Sequence, residues 1–263
     1  MRPAIDTTKP SPARMYDYFL GGTANYEVDR QAAEIVLGDS PEAKEVAVVN
    51  RKFLMRATEY AARCGLKQFV DVGSGLPTQQ NVHQVARTVA PDACVVYVDN
   101  DPSVLLHAEA LLDDPLRTRY IEADVNTPAE IISNPVTQSL IDLSRPVAVL
   151  LVAVLHFVPE GNDPYGIVTD LMEHMAPGSM LILSHATTDE INPSVRERIQ
   201  LQNEQLASPV YFRPGEDIRR FFRGLNLVDP PGFVFVEQWA PGEVLPVDTS
   251  QPLKLRCGVA VKP

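Results

Sequence analysis

The chain has few cysteines, a shortage of basic residues and no long apolar run. Its three cysteines among 263 residues, Cys64, Cys94 and Cys257, form no CxxC pair. An odd, scattered set argues against a disulfide framework. With no His-rich cluster beside them it also argues against a structural zinc site, and no metal is expected. Lys and Arg number 23 against 34 Asp and Glu, a formal net charge of −11. A field of that sign repels phosphate backbones, so nucleic acid is not an expected partner. The longest apolar run, residues 147–155 (VAVLLVAVL), is about half of what a membrane-spanning helix needs, so no membrane partner is expected. The first twelve residues (MRPAIDTTKPSP) hold no apolar stretch of the kind that leads secretion, and the cytoplasm is the expected compartment.

What is present is a globular composition, 45% hydrophobic and 22% charged, enough to bury one substantial core. Residues 1–13 read as a flexible arm rich in proline. Residues 14–30 (RMYDYFLGGTANYEVDR) are too aromatic for a linker and too irregular for one clean helix. From Pro41, Val46, Val49, Phe53, Ala57 and Tyr60 recur at helical spacing, and Gly65 ends the stripe. Residues 14–64 are read as a helical lid segment and 65–263 as the main domain.

In that domain the period changes. Residues 68–73 (QFVDVG), 94–99 (CVVYVD), 119–124 (RYIEAD), 147–152 (VAVLLV) and 180–186 (MLILSHA) read as short, nearly all-apolar strands, as parallel strands covered on both faces require. Helical stretches at 79–89, 102–112, 129–140 and 167–175 alternate with them, predicting an α/β, doubly wound, mostly parallel sheet. Two more helices are expected at 193–206 and 215–222. Strands near NLVD, FVFVEQW and 255–261 (LRCGVAV) follow with only loops between, which suggests an antiparallel edge.

The chemistry concentrates at the strand ends. FVDVGSGLP (69–77) carries Asp71 at the end of a strand, then Gly73 and Gly75 in the turn. In open α/β sheets ligands bind beyond the carboxyl ends of strands, and glycines let backbone approach them. Asp99 lies twenty-four residues past Gly75, where an acid accepts from ribose hydroxyls, and the next strand ends at Asp124. The third glycine of a dinucleotide fingerprint is missing, and three carboxylates suit a cation better than a pyrophosphate. S-adenosylmethionine fits those terms. Asp71 would lie near its ammonium, Asp99 would accept from the ribose, Asp124 from the adenine amino group, and the Val125 N–H would face a ring nitrogen. Taken singly, each aspartate could equally be a turn or cap residue, the role given to Asp101 before Pro102.

DVGSGLP, YVDND and EADV resemble the successive cofactor motifs of class I S-adenosylmethionine-dependent methyltransferases. With ARMYDYFLGGTANYEVDR, NRKFLMRA, LLVAVLHFVP and APGSMLILSHAT the chain closely resembles a family of S-adenosyl methyltransferases formerly grouped as a domain of unknown function. The resemblance runs from about Arg14 to the last strand. It implies a Rossmann-like seven-stranded sheet with an antiparallel edge strand, S-adenosyl-L-methionine as cofactor and methyl transfer, and it implies no particular acceptor. It counts Ser74 and Asn100 with the cofactor turns and places Ala153 and the residues up to Phe157 beside the methyl group. His156 is the best-placed general base, and a histidine hydrogen-bonding a loop carbonyl is the competing reading. Arg14 or Arg51 could offset the cofactor's carboxylate, with Tyr18 in the lid over it. No NPPY, Pro-Cys or catechol-type acid pattern is present, so a small-molecule acceptor is expected. A non-catalytic nucleoside-binding protein and an NAD-dependent oxidoreductase are the alternatives.

Overall fold

A computed structural model of the chain describes residues 5–77, 80–111, 114–189, 191, 208–245 and 253–263. The helix expected at 193–206, residues Thr78 and Gln79, and much of the 241–252 loop lie outside them.

Three helices precede the sheet: α1 (Pro12–Phe19), α2 (Glu27–Asp39) and α3 (Ala43–Arg63). Ser11 caps α1 and Pro12 opens it, a proline place that loses no needed N–H. The Asp29 carboxylate accepts from the Tyr26 N–H at 2.8 Å and so caps α2. Gly21, at φ 76°, turns the chain between them, which is why residues 14–30 do not form one helix. The α3 stripe is buried through Phe53, Leu54, Ala57 and Ala61.

The strands β1 (Gln68–Val72), β2 (Cys94–Asp99), β3 (Thr118–Glu122), β4 (Ala148–Val152) and β5 (Met180–Ala186) pair in parallel, in the order β3-β2-β1-β4-β5. The helices α4 (Val82–Val89), α5 (Pro102–Leu111), α6 (Pro128–Ser133), α7 (Pro135–Leu140) and α8 (Pro164–Glu173) lie between them in the chain. The helix expected over 129–140 is split, because Pro135 disfavours a helical residue before it and Asn134 caps a new start at Pro135, accepting from the Val136 N–H. After β5 come α9 (Gly215–Arg219) and the strands β6 (Asn226–Leu227), β7 (Val234–Phe235), β8 (Trp239–Ala240), β9 (Glu243–Val244) and β10 (Leu255–Val261). β10 lies antiparallel beside β5, as the tail pattern predicts.

The main sheet has eight strands rather than seven. Two separate two-residue strands complete it: β6 pairs with Ala260 and Val261, β7 with Arg256 and Cys257, at opposite ends of β10. One sheet face packs on α3 and α4 around Phe53, Phe69, Leu150 and Ile182. The other packs on α6, α8 and α9 around Val98, Ile131, Leu151 and Leu171. Strand order reverses between β1 and β4, which makes the crevice past their carboxyl ends the predicted ligand position. Among the described residues, no helix is long and apolar enough to cross a membrane.

Candidate functional site

The β1 turn is held onto the neighbouring strand. Gly73 and Ser74 both donate their N–H to the Val98 carbonyl, at 2.8 and 3.1 Å. Gly73 and Gly75 have φ of 71° and 65°, backbone that side chains rarely adopt. A Cβ on Gly73 would also run into the Val154 side chain. The Gly75 N–H donates to Asp99 Oδ2 at 2.8 Å, and the Asp101 N–H donates to Asp99 Oδ1 at 3.0 Å. The Asn100 N–H also bonds this carboxylate, and with about four acceptor sites the group still has room for a further donor.

Asp71 and Asp99 resist ionisation. Burial pushes Asp71 up to about 7, with Arg51 opposing and Asp99 adding to the rise. Burial likewise raises Asp99 to about 6, against the backbone N–H groups of Asp101 and Gly75. Arg51 of α3 donates to the Gln80 carbonyl, just past the glycine turn, at 2.5 Å. Two buried acids with raised pKa values, only Asp71 of them offset by Arg51, are short of positive charge and favour a cationic ligand.

Asp124 differs. It lies two residues past the end of β3 rather than on it. Burial raises its pKa, but hydrogen bonds from the Asn126 backbone and side chain and from Asn100 outweigh that and lower it. Asn100 Nδ2 reaches Asp124 at 3.2 Å, tying the β2 and β3 turns together. Among the described residues the Val125 N–H has no protein acceptor.

Across the crevice, Ala153 follows β4 with φ 58°, the left-handed region that costs a non-glycine residue about 1–2 kcal/mol. Leu155–Phe157 form a 3-10 turn with His156 buried on it. Burial, then the nearby Arg213 charge, lower the His156 pKa to about 3, so its ring is neutral at ordinary pH. Its Nδ1 is enclosed and has no hydrogen-bond partner among the described residues, so the carbonyl-bonded reading of this histidine is not what Nδ1 shows. The His185 ring lies 5.7 Å away, edge to face. His185 Nδ1 pairs with the Ala186 carbonyl and Nε2 with Arg213 Nη1, each at 2.7 Å, which sets Nδ1 as donor and Nε2 as acceptor.

Sequence reading did not reach Arg213. It is 5% exposed and bonds the Leu155 and Val158 carbonyls as well as Glu160, pinning the turn that carries His156. Nothing in its PVYFRPG surroundings sets it apart from a surface arginine.

The N-terminal segment is bound to the same edge. Ser11 Oγ donates to the Asp101 carboxylate, and Arg14 Nη1 lies 3.7 Å from it. The rest of the Arg14 guanidinium is committed: Nε to Asp29 at 2.8 Å, Nη2 to the carbonyls of Lys9 and Asp6. Tyr18 turns its hydroxyl to Glu34 of α2 at 2.5 Å, with the Lys44 ammonium 5.0 Å from its ring centre. The structure thus gathers Asp71, the glycine turn, Asp99, Asn100 and Asp124 along one edge, with Ala153 and His156 opposite. It gives Arg14 partners in α2, in the segment before α1 and at Asp101, and Tyr18 partners in α2 and α3. The residues present fit S-adenosylmethionine: Gly75, with open space where a side chain would stand, leaves the floor clear, and charge-starved acids suit a cation with hydroxyl donors.

Comparison with known proteins agrees. A proposed methyltransferase from Thermobifida fusca is 39% identical, with 99% of this chain and 97% of that one covered at a TM-score of 0.89. A DUF574 family protein from Streptomyces avermitilis is 37% identical over 99% and 100% of the two chains, at a TM-score of 0.91. The plantazolicin methyltransferase BamL, solved with S-adenosylhomocysteine, shares the fold at 8% identity, covering 95% of each chain with a TM-score of 0.54. No curated protein matches. Residues 1–263 match the family described as S-adenosyl methyltransferase, so the chain belongs to that family, whose cofactor is S-adenosylmethionine.

Proposed function

We propose that the protein transfers the methyl group of S-adenosylmethionine to a small molecule, in the crevice between the β1 and β4 ends. The carrying observation is the pair of buried acids, Asp71 and Asp99, on either side of the glycine turn. When bound, the cofactor supplies an electrophilic methyl group on a sulfonium. Asp99 would hold the ribose with its remaining acceptor capacity, and Asp71 would face the positive charge. Asp124 and the Val125 N–H would hold the adenine edge. In-line methyl transfer draws much of its rate from positioning and water exclusion, which α1 and the 153–157 turn would provide.

His156, neutral at all ordinary pH, is the candidate to receive the acceptor's proton. Its low basicity fits an acceptor whose proton leaves as the bond forms rather than before. Three features favour a small acceptor: the net charge, the segment bound over the cleft edge, and the ring cluster of His156, Phe157 and His185.

Calorimetric titration with S-adenosylmethionine, S-adenosylhomocysteine and NAD tests the reading. Both S-adenosyl compounds should bind and NAD should not. Asp99→Asn should weaken binding by roughly 10–100-fold, as loss of charged hydrogen bonds does. NAD binding in their place, or full affinity in the variant, would sink the assignment. Transfer of labelled methyl into small-molecule extract separates an enzyme from a nucleoside-binding protein without turnover.

A further inference from the structure

A buried chain of hydrogen bonds links the N-terminal helix to the turn after β4. Ala153 donates its N–H to the Ser184 carbonyl at 3.2 Å and to Ser184 Oγ at 3.1 Å. Ser184 Oγ donates to Asn50 Oδ1 at 2.7 Å. Asn50 Nδ2 donates to the Tyr16 hydroxyl at 3.0 Å, and Tyr16 donates to the Ala47 carbonyl at 3.0 Å. Ser184 and Asn50 are 0% and 1% exposed.

The direction of this chain is forced. A carbonyl only accepts, so Tyr16 must be the donor to Ala47. Burial raises the Tyr16 phenol, which keeps that proton in place. Its oxygen is then free to accept, and the Asn50 amide nitrogen must face it. That turns Asn50 Oδ1 to Ser184, so the serine must donate there. A lone pair on Ser184 Oγ is left for the Ala153 N–H.

The far end matters because Ala153 holds φ 58°, which only surrounding contacts can maintain. The next residue, Val154, fills the space that Gly73 leaves by lacking a side chain. Gly73 begins the turn whose Gly75 N–H is bound by Asp99. A continuous set of contacts therefore runs from Tyr16 to the glycine turn, crossing the point where the strand order reverses.

We propose that Tyr16, Asn50 and Ser184 are positioning residues, which hold the Ala153–Val154 turn against the glycine turn and so set the shape of the cofactor crevice. This rests on the cofactor reading above. None of the three needs to touch the ligand.

The test uses Tyr16→Phe, Ser184→Ala and the double variant of the full chain. Two quantities are read: affinity for S-adenosylhomocysteine by calorimetry, and amide hydrogen exchange at Ala153 in ligand-free protein. Each single variant should weaken affinity by about 10-fold, the double no further, because cutting one chain twice removes it once. Tyr16→Phe should speed exchange at Ala153 by about 10-fold with little change in melting temperature, although Tyr16 does not touch Ala153. Unchanged exchange in Tyr16→Phe, or losses of affinity that multiply, would overturn the proposal. Wild-type protein that binds no S-adenosyl compound would overturn the cofactor reading instead, and the exchange measurement would still decide the relay.

Discussion

Burial makes Asp71 and Asp99 costly to ionise, and two measurements follow. A positively charged ligand favours the carboxylate forms, so at pH 6.5 binding should expel protons, most from Asp71 at about 7. Calorimetry in two buffers of different ionisation heat should detect that release, and affinity should fall as pH drops from 7 through 6. A proton count of zero would contradict the assignment. In the ligand-free protein both acids have raised pKa values, so their contribution to stability is present below 3.8 and lost as pH rises through 6 to 7. Asp71→Asn should therefore raise the melting temperature by roughly 5 °C at pH 8 and change it little at pH 4. Asp99 is less free to change: an alanine there would orphan the N–H groups of Gly75 and Asp101. The aspartates could be read from strand spacing alone. Arg14 could not, because Asp29 and the Lys9 carbonyl meet it only once α1 and α2 have folded.

The β1 and β4 turns form a steric pair at the level of elements. Gly73→Ala should cost about 2–4 kcal/mol, combining a side chain at positive φ with a collision against Val154. Adding Val154→Ala should recover the steric part and leave the backbone part, as urea unfolding of the three proteins would show. Full recovery would mean that φ matters little there. The alternation of strands and helices was legible because parallel strands covered on both faces must be apolar throughout. Two details were not. The 129–140 helix breaks at Pro135, where the disfavoured residue before proline outweighed the apolar periodicity. The tail strands expected near NLVD and FVFVEQW are there as β6 and β7, but that each is only two residues long and that both pair with β10, making eight strands where the resemblance implied seven, no local pattern showed.

Across the whole molecule, α1 connects the β2 end of the sheet to the β5 end. Ser11 reaches Asp101 after β2, and Tyr16 reaches Ser184 in β5 through Asn50. Three interstrand steps separate those strands, about 14 Å, and an eight-residue helix is about 12 Å long. Acid stability should also be a property of the assembled core. His156 and His185 have lowered pKa values, so their contribution is present above 6.5 and lost as pH falls, toward about 3 for His156. His156→Gln should flatten the fall in melting temperature between pH 6.5 and 4, and an unchanged slope would place the acid sensitivity elsewhere. The sequence by itself determined the strand order of chemistry: which strands end in acids, where glycine must stand, and which cofactor such a register suits. Those follow from local periodicity and from what each side chain can bond. Only the tertiary structure decided which polar groups are spent on one another. Asn50 and Ser184 lie 134 positions apart, and no local pattern encodes a hydrogen bond that exists only after α3 has packed on the sheet.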